Sequence, residues 1–324
     1  MPHIDEQNVL HILGEEVLPG QKARINFNTA KLYTNTAVEV PVIIRRAKRK
    51  GPVVLITAGI HGDEINGVEI VRQVIATGIN TPRIGTIICI PVINVFGFLN
   101  QSRQFPDGRD LNRMFPGTKK GSLASRLAYQ FVEEILPVAN YCLDFHTGGA
   151  SRFNAAQIRI SQHKPELEQL ASIFNAPFTI YSKTLKNSYR SICEKKNIPI
   201  LLFEGGKSID KNSDITRYGV EGVKRILNHL DMLKSSFSIT TLNEYSTFIS
   251  KTKWMRAKYS GMFHSEIPIG KYVEKGEIIA FITDAYGSLR YKVKATNNGY
   301  IINVNQSPIV YQGDAIFHIS TELN

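Results

Sequence analysis

Apolar, β-branched runs alternate with helical periodicities from about residue 38 to 232, and no other feature constrains the fold of this chain as strongly. The runs predict strands at 39–46, 53–59, 84–91, 140–146, 177–181 and 198–204. Between them, apolar residues at helical spacing predict helices at 64–77, 122–136, 165–174, 188–196 and 214–233. Ser122 is a candidate cap for the second helix, and Pro137 closes it. Crossover connections of this length are what parallel strands need. The pattern therefore predicts an α/β fold, with a mixed, largely parallel sheet flanked by helices.

Near residue 234 the pattern changes. The stretch SSFSITTLNEYSTF is polar and lacks helical periodicity, so it reads as a linker. Beyond it, short β-like runs are separated by the turn signals KGE, AYG, NNG and QGD. The expected organisation is an α/β domain over 1–235 and a small all-β domain over 243–324.

Bulk properties narrow the class. At 324 residues the chain is long enough for two domains, and 43% apolar with 21% charged residues is an ordinary globular composition. No apolar run reaches the length of a membrane span, and the mixed, acidic N-terminus does not resemble a secretory signal. The three cysteines, Cys89, Cys142 and Cys193, are widely spaced and read as buried thiols of a cytoplasmic protein. The formal charge of +11 suits nucleic acid, an anionic surface or a site that attracts acidic small substrates. Its one compact cluster, Arg45 to Lys50, reads as a solvated hairpin tip, because no aromatic residues interleave with it as a nucleic-acid groove requires.

Chemistry concentrates at the carboxyl ends of the expected strands, where open α/β sheets bind ligands. After the strand VVLITAG come His61 and Glu64, three apart in a turn bracketed by Gly59 and Gly62. This pair offers a divalent metal one nitrogen and one oxygen ligand. The run ending at residue 146 places His146 at an equivalent strand end, with Asp144 on the same strand face. Asp144 is either an orienting partner for His146 or a member of an ion pair. The apolar run Ile198–Phe203 ends in Glu204-Gly205-Gly206, giving a partly desolvated carboxylate suited to proton transfer. The loop RQFPDGRDLNRMFPG gathers Arg103, Arg109, Asp110, Asn112 and Arg113. Two histidines, one ligating carboxylate and one further glutamate make an apparatus for metal-assisted hydrolysis, with an arginine to stabilise the oxyanion.

His61-x-x-Glu64, Asp110-Leu111-Asn112-Arg113, His146 and Glu204, in that order, resemble the succinylglutamate desuccinylase/aspartoacylase family of the zinc carboxypeptidase-like superfamily. The resemblance covers roughly residues 40–232. It implies that His61, Glu64 and His146 bind one Zn2+ per chain, with Glu204 as general base and acid. It also implies that Asn112 and Arg113 grip a substrate carboxylate and that Asp110 hydrogen-bonds the first zinc histidine. Arg103 resembles the arginine that polarises the scissile carbonyl, with Arg109 a competing candidate. Arg190-Ser191 resembles the family's Arg-Ser pair, whose arginine binds a carboxylate. The family also uses a tyrosine from its C-terminal domain, for which Tyr286 is the candidate.

The segment GMFHSEIPIGKYVEKGEIIAFITDAYGS and the run after it form two similar halves that resemble the barrel-sandwich fold of lipoyl domains, but without the Met-Lys of a carrier. The resemblance implies that this domain caps the site and limits it to small substrates. The expected activity is zinc-dependent cleavage of the amide bond of a small, anionic N-acyl amino acid. The alternatives are a zinc metallocarboxypeptidase and, from another class, a catalytically silent binding protein. No nucleic-acid or membrane partner is expected, and homo-oligomerisation is left open.

Overall fold

The computed structural model describes residues 9–31, 37–240 and 245–324. Its centre is a sheet of twelve strands. The strands Thr86–Ile90, Val53–Ala58, Tyr141–Gly148 and Ile200–Lys207 lie side by side and are all parallel. These four are the expected 84–91, 53–59, 140–146 and 198–204. On one flank the antiparallel pair Ala37–Arg46 and Lys22–Lys31 extends the sheet. On the other, Arg152–Ile160 runs antiparallel to Ile200–Lys207.

The sheet is thus mixed, as expected, but antiparallel strands stand on both flanks of its parallel centre where a largely parallel sheet was expected. Two strands missed by the periodicity account for part of the difference. Lys22–Lys31 forms an edge, and Arg152–Ile160 carries Asn154, Gln157 and Arg159, which interrupt its apolar run. The Arg45–Lys50 cluster is not a hairpin tip either. The strands on its two sides do not pair with each other, because both pair with Thr86–Ile90 lying between them. Lys48, Arg49 and Lys50 are nevertheless exposed, as a solvated loop requires.

Helices cover both faces. Along Val53–Ala58, the side chains of Val54, Ile56 and Ala58 enter one core with Ile70, Val71, Phe174 and Val223. Leu55 points the other way, into a second core with Leu127, Phe131, Tyr189 and Ile192. This is the two-residue alternation of a strand buried on both sides. Each such fully buried side chain contributes about 1.5–3 kcal/mol. The expected helices are present as Ile65–Ala76, Leu123–Gln130, Pro165–Phe174, Tyr189–Lys195 and Ser213–His229. Ser122 caps the second of these, accepting from the backbone N–H of Ser125 at 3.3 Å. That helix widens into a π turn over Phe131–Ile135 and ends in a 3-10 turn at Pro137.

Beyond the linker, of which 241–244 lie outside the described residues, all elements are strands. Gly261–Ser265, Ile278–Thr283, Arg290–Lys294 and Ile309–Val310 form a four-stranded sheet. Thr247–Arg256, Gly299–Asn305 and Ala315–Leu323 instead join the large sheet. Thr247–Arg256 pairs with Phe178–Tyr181, and Gly299–Asn305 pairs with Arg152–Ile160. The β segment has an apolar cluster of its own, centred on Phe263, Ile279, Ile301 and Phe317. Among the described residues, no helix is long and apolar enough to cross a membrane.

Candidate active site

Register explains why residues far apart in sequence meet. In the parallel centre, Ala58 lies beside Phe145 and Glu204 lies beside His146. His61, His146 and Glu204 therefore emerge at one carboxyl edge. The chain turns after Val53–Ala58 through Gly59, whose φ of +62° few other residues adopt. Gly62 is needed for a different reason. A Cβ there would come within 1.8 Å of the Gly97 backbone, so the short helix Val95–Leu99 sits directly against the histidine loop. Glu64 stands at the start of Ile65–Ala76, but its side chain makes no capping bond. It turns into the site instead.

There His61 Nδ1 lies 2.7 Å from Glu64 Oε1, and His146 Nδ1 lies 2.8 Å from Glu64 Oε2. The outer nitrogens are held as well. His61 Nε2 lies 3.1 Å from Asp110 Oδ1, and His146 Nε2 lies 2.7 Å from Asp144 Oδ2. Asp144 is fully buried and also accepts from Thr57 Oγ1 at 2.7 Å. Asp110 also caps the turn Leu111–Arg113, accepting from the Asn112 N–H at 2.9 Å. Its second oxygen takes Arg103 Nη2 at 2.9 Å.

These contacts set the charge states. Burial works against ionising Glu64, but the two imidazoles outweigh it and hold the carboxyl well below its usual range. Burial likewise disfavours the charged form of His146, yet Asp144 and Glu64 raise its proton affinity well above the ordinary value. His61 is raised in the same way, against its burial, by Glu64 and Asp110. Three carboxylates thus surround two imidazoles in a nearly dry pocket, a balance that favours a cation at its centre.

The donor set fits a divalent metal. Ligand atoms of His61, Glu64 and His146 all lie within 4.8 Å of one another, and all three residues are buried. Two imidazoles and one carboxylate are a catalytic zinc combination. Carboxylates on the outer imidazole nitrogens fix each ring with Nδ1 turned toward Glu64, the atom that would face a metal.

These side chains line a cleft of about 270 Å³. Arg103, Asn112, Arg113, Arg190 and Glu204 line it too, together with Arg159, Lys183 and Ser182. Glu204 Oε2 accepts from Asn154 Nδ2 at 2.6 Å. Arg103 approaches Glu64 Oε1 at 3.4 Å. Asn112 spends its carbonyl oxygen on the Tyr189 N–H at 2.8 Å.

Two arginines expected to contact the substrate sit differently. Arg109 is half-exposed, pairs with Asp107 at 3.5 Å and does not line the cleft. Arg190 reaches the cleft wall, but its guanidinium is enclosed. It donates to Ser182 Oγ at 2.9 Å, Ser161 Oγ at 2.8 Å and the Ser182 carbonyl at 2.6 Å, and it pairs with Glu194 at 3.2 Å. Tyr286 is 90% exposed. Among the described residues, those lining the cleft all fall between 61 and 204, so no side chain of 245–324 is among them. That segment reaches the site through Asn303, which donates to Asn154 Oδ1 at 2.7 Å.

The reading of the sequence missed Asn154 and Arg159, both on the unrecognised strand. The signal was there in principle, because Asn154, Gln157 and Arg159 are polar positions in an otherwise apolar run ending at Ile160. The three cysteines are buried and free, as expected, and burial pushes the Cys89 thiol up to about 12.

Comparison with known proteins agrees with this geometry. Residues 50–230 match the model of the succinylglutamate desuccinylase/aspartoacylase catalytic domain. The chain is 25% identical over 295 residues to N-alpha-acetyl-L-2,4-diaminobutyric acid deacetylase of Halomonas elongata, covering 86% of this chain and 85% of that protein. Its fold is similar to a succinylglutamate desuccinylase/aspartoacylase from Rhodobacter sphaeroides, with a TM-score of 0.79, 23% identity, and 94% and 96% of the two chains covered. It is equally similar to the product-bound ectoine utilization protein EutE from Ruegeria pomeroyi, with a TM-score of 0.79, 21% identity, and 93% and 95% covered.

Proposed function

The chain belongs to the succinylglutamate desuccinylase/aspartoacylase family, and we propose that it is a zinc-dependent hydrolase cleaving the amide bond of a small N-acyl amino acid. The observation that carries this reading is the register of Glu204 beside His146, which sets a second carboxylate next to a buried His-Glu-His group. His61, Glu64 and His146 would hold the metal, which supplies Lewis acidity toward a carbonyl and lowers the pKa of water. Glu204 takes the proton of the attacking water and returns it to the leaving nitrogen. Asn154 holds Oε2 of that carboxylate, and no hydrogen bond among the described residues occupies Oε1. Arg103, tethered by Asp110 and Glu64, stands where it can stabilise a developing oxyanion. Arg113, exposed and bonded among the described residues only to the Asn112 backbone carbonyl at 2.7 Å, has donors left for a substrate carboxylate.

The relative from Halomonas elongata is named for removing an acetyl group from an amino acid derivative, and this supports an acylamino acid over a peptide. So does the cleft volume, at the low end for ligand sites. We read 243–324 as a barrel-sandwich-like unit that supports the base through Asn303. The test is hydrolysis of a panel of N-acetyl and N-succinyl amino acids beside dipeptides, with zinc measured by mass spectrometry on the same preparation. Turnover of at least one acylamino acid and about one zinc per chain are expected. Turnover of dipeptides alone overturns the deacylase reading in favour of a carboxypeptidase.

A further inference from the structure

Among the cleft arginines, Arg159 differs in how little of its guanidinium is committed. Arg190 spends its fork on Ser161, Ser182 and Glu194. Arg103 spends its own on Asp110 and Glu64. Arg159 donates no hydrogen bond among the described residues. Its one ionic contact is loose, 3.4 Å from Nη2 to Glu204 Oε2. That oxygen is already satisfied by Asn154 at 2.6 Å, so Glu204 does not depend on the arginine. The Arg159 Nε is buried and has no partner. Leaving a buried donor unsatisfied is costly, and a charged one more so.

Among the described residues, Glu204 is the one anion within ion-pair distance of it. On its far side, burial and then the Arg159 charge hold His318 neutral, down to about 3, so that imidazole brings no competing charge. Lys183 and Arg113 line the same cleft, and of its two carboxylates Glu64 is engaged by His61 and His146 and Glu204 by Asn154. A planar fork with spare donors, beside the proton-transferring carboxylate and open to the cleft, matches one ligand chemistry. It suits a carboxylate accepting two parallel N–H bonds.

We propose that Arg159, rather than Arg190, is the residue that grips a carboxylate of the substrate on the Glu204 side of the cleft and selects against substrates that are cationic there. The assignment rests on the reading of the protein as an acylamino acid hydrolase, and it makes Arg159 a specificity determinant of that reaction.

The test is equilibrium binding to zinc-loaded Glu204→Gln, which slows turnover of the probes. Titration calorimetry with N-acetyl-L-aspartate, N-acetyl-L-alanine and N-acetyl-L-lysine is compared with the same titrations on Glu204→Gln/Arg159→Gln and Glu204→Gln/Arg159→Lys. Zinc content and thermal midpoint serve as controls for folding. The expected result is that Arg159→Gln weakens N-acetyl-L-aspartate at least tenfold and narrows its advantage over N-acetyl-L-lysine. Arg159→Lys, which keeps the charge and loses the fork, should fall between. Loss for aspartate alone places the side-chain carboxylate on Arg159, whereas equal loss for all three probes leaves selectivity unchanged and overturns its role as a specificity determinant. If none of the three probes binds more weakly after Arg159→Gln, the assignment is overturned. Failure of the parent reading is separately visible, since the native chain would then hydrolyse none of the N-acyl amino acids.

Discussion

Asn303 donates to Asn154 across 149 residues of sequence, at 2.7 Å, and both side chains are buried. The bond fixes which way the Asn154 amide faces, and so directs its own N–H to Glu204. The C-terminal β segment thereby takes part in the site without entering the cleft. Asn154→Ala should lower kcat by up to about 100-fold, because a base displaced by an ångström loses much of its effect. KM and zinc content should hardly change. Asn303→Ala strands a buried acceptor and should lower stability by about 1–3 kcal/mol in urea titrations, with a smaller loss of kcat.

Asp144 bears on the metal rather than the substrate. It fixes the His146 ring through Nε2 and is itself held by Thr57. Asp144→Asn should weaken zinc affinity by about 10- to 100-fold, measured by competition with a chelating dye. Thr57→Val should move affinity in the same direction by less.

The two arginines that the motif pattern suggested should behave unlike binding residues. Arg109 is half-exposed and bonded to Asp107, so Arg109→Ala should change stability by less than about 0.5 kcal/mol and leave kcat/KM near the native value. Arg190→Ala should instead cost about 2–3 kcal/mol, since it takes the guanidinium donors from Ser161 and Ser182 and the counter-charge from Glu194. Thermal and urea unfolding separate the two.

His318 gives a pH signature. It stacks on Trp254 with ring centroids 4.4 Å apart, and burial, with Arg159 as a second cause, lowers its pKa to about 3. The unfolded chain binds a proton at this residue below about pH 6.5 while the folded one does not. Its contribution is therefore fully present above pH 6.5 and is lost as pH falls toward 3, by at most about 1.4 kcal/mol per pH unit. Urea midpoints of the native chain should fall from pH 7 to pH 5 more steeply than those of His318→Phe, which keeps a ring against Trp254. Parallel slopes would contradict the neutral assignment.

Much of this was legible in the sequence because two periodicities and a few strand ends carry it. The four parallel strands are runs too apolar to face water, and the histidines and Glu204 stand where those runs stop. Asp144 fell on the face of His146 by simple alternation. What stayed hidden depended on pairing at long range. Arg152–Ile160 binds three neighbours, so its polar residues are satisfied or used by groups that no local window contains. Asn303 gives no signal apart from Asn154. Arg103 and Arg109 have the same local chemistry, and only the packing of Val95–Leu99 against Gly62 shows which loop face turns inward.

The central claim is that Glu204 moves the proton beside a metal held by His61, Glu64 and His146. The most direct test is the kcat of zinc-loaded Glu204→Gln on whichever acylamino acid the native chain hydrolyses. The account predicts a fall of about 10²- to 10⁴-fold with zinc content unchanged. A variant that keeps full zinc and the native kcat would contradict it.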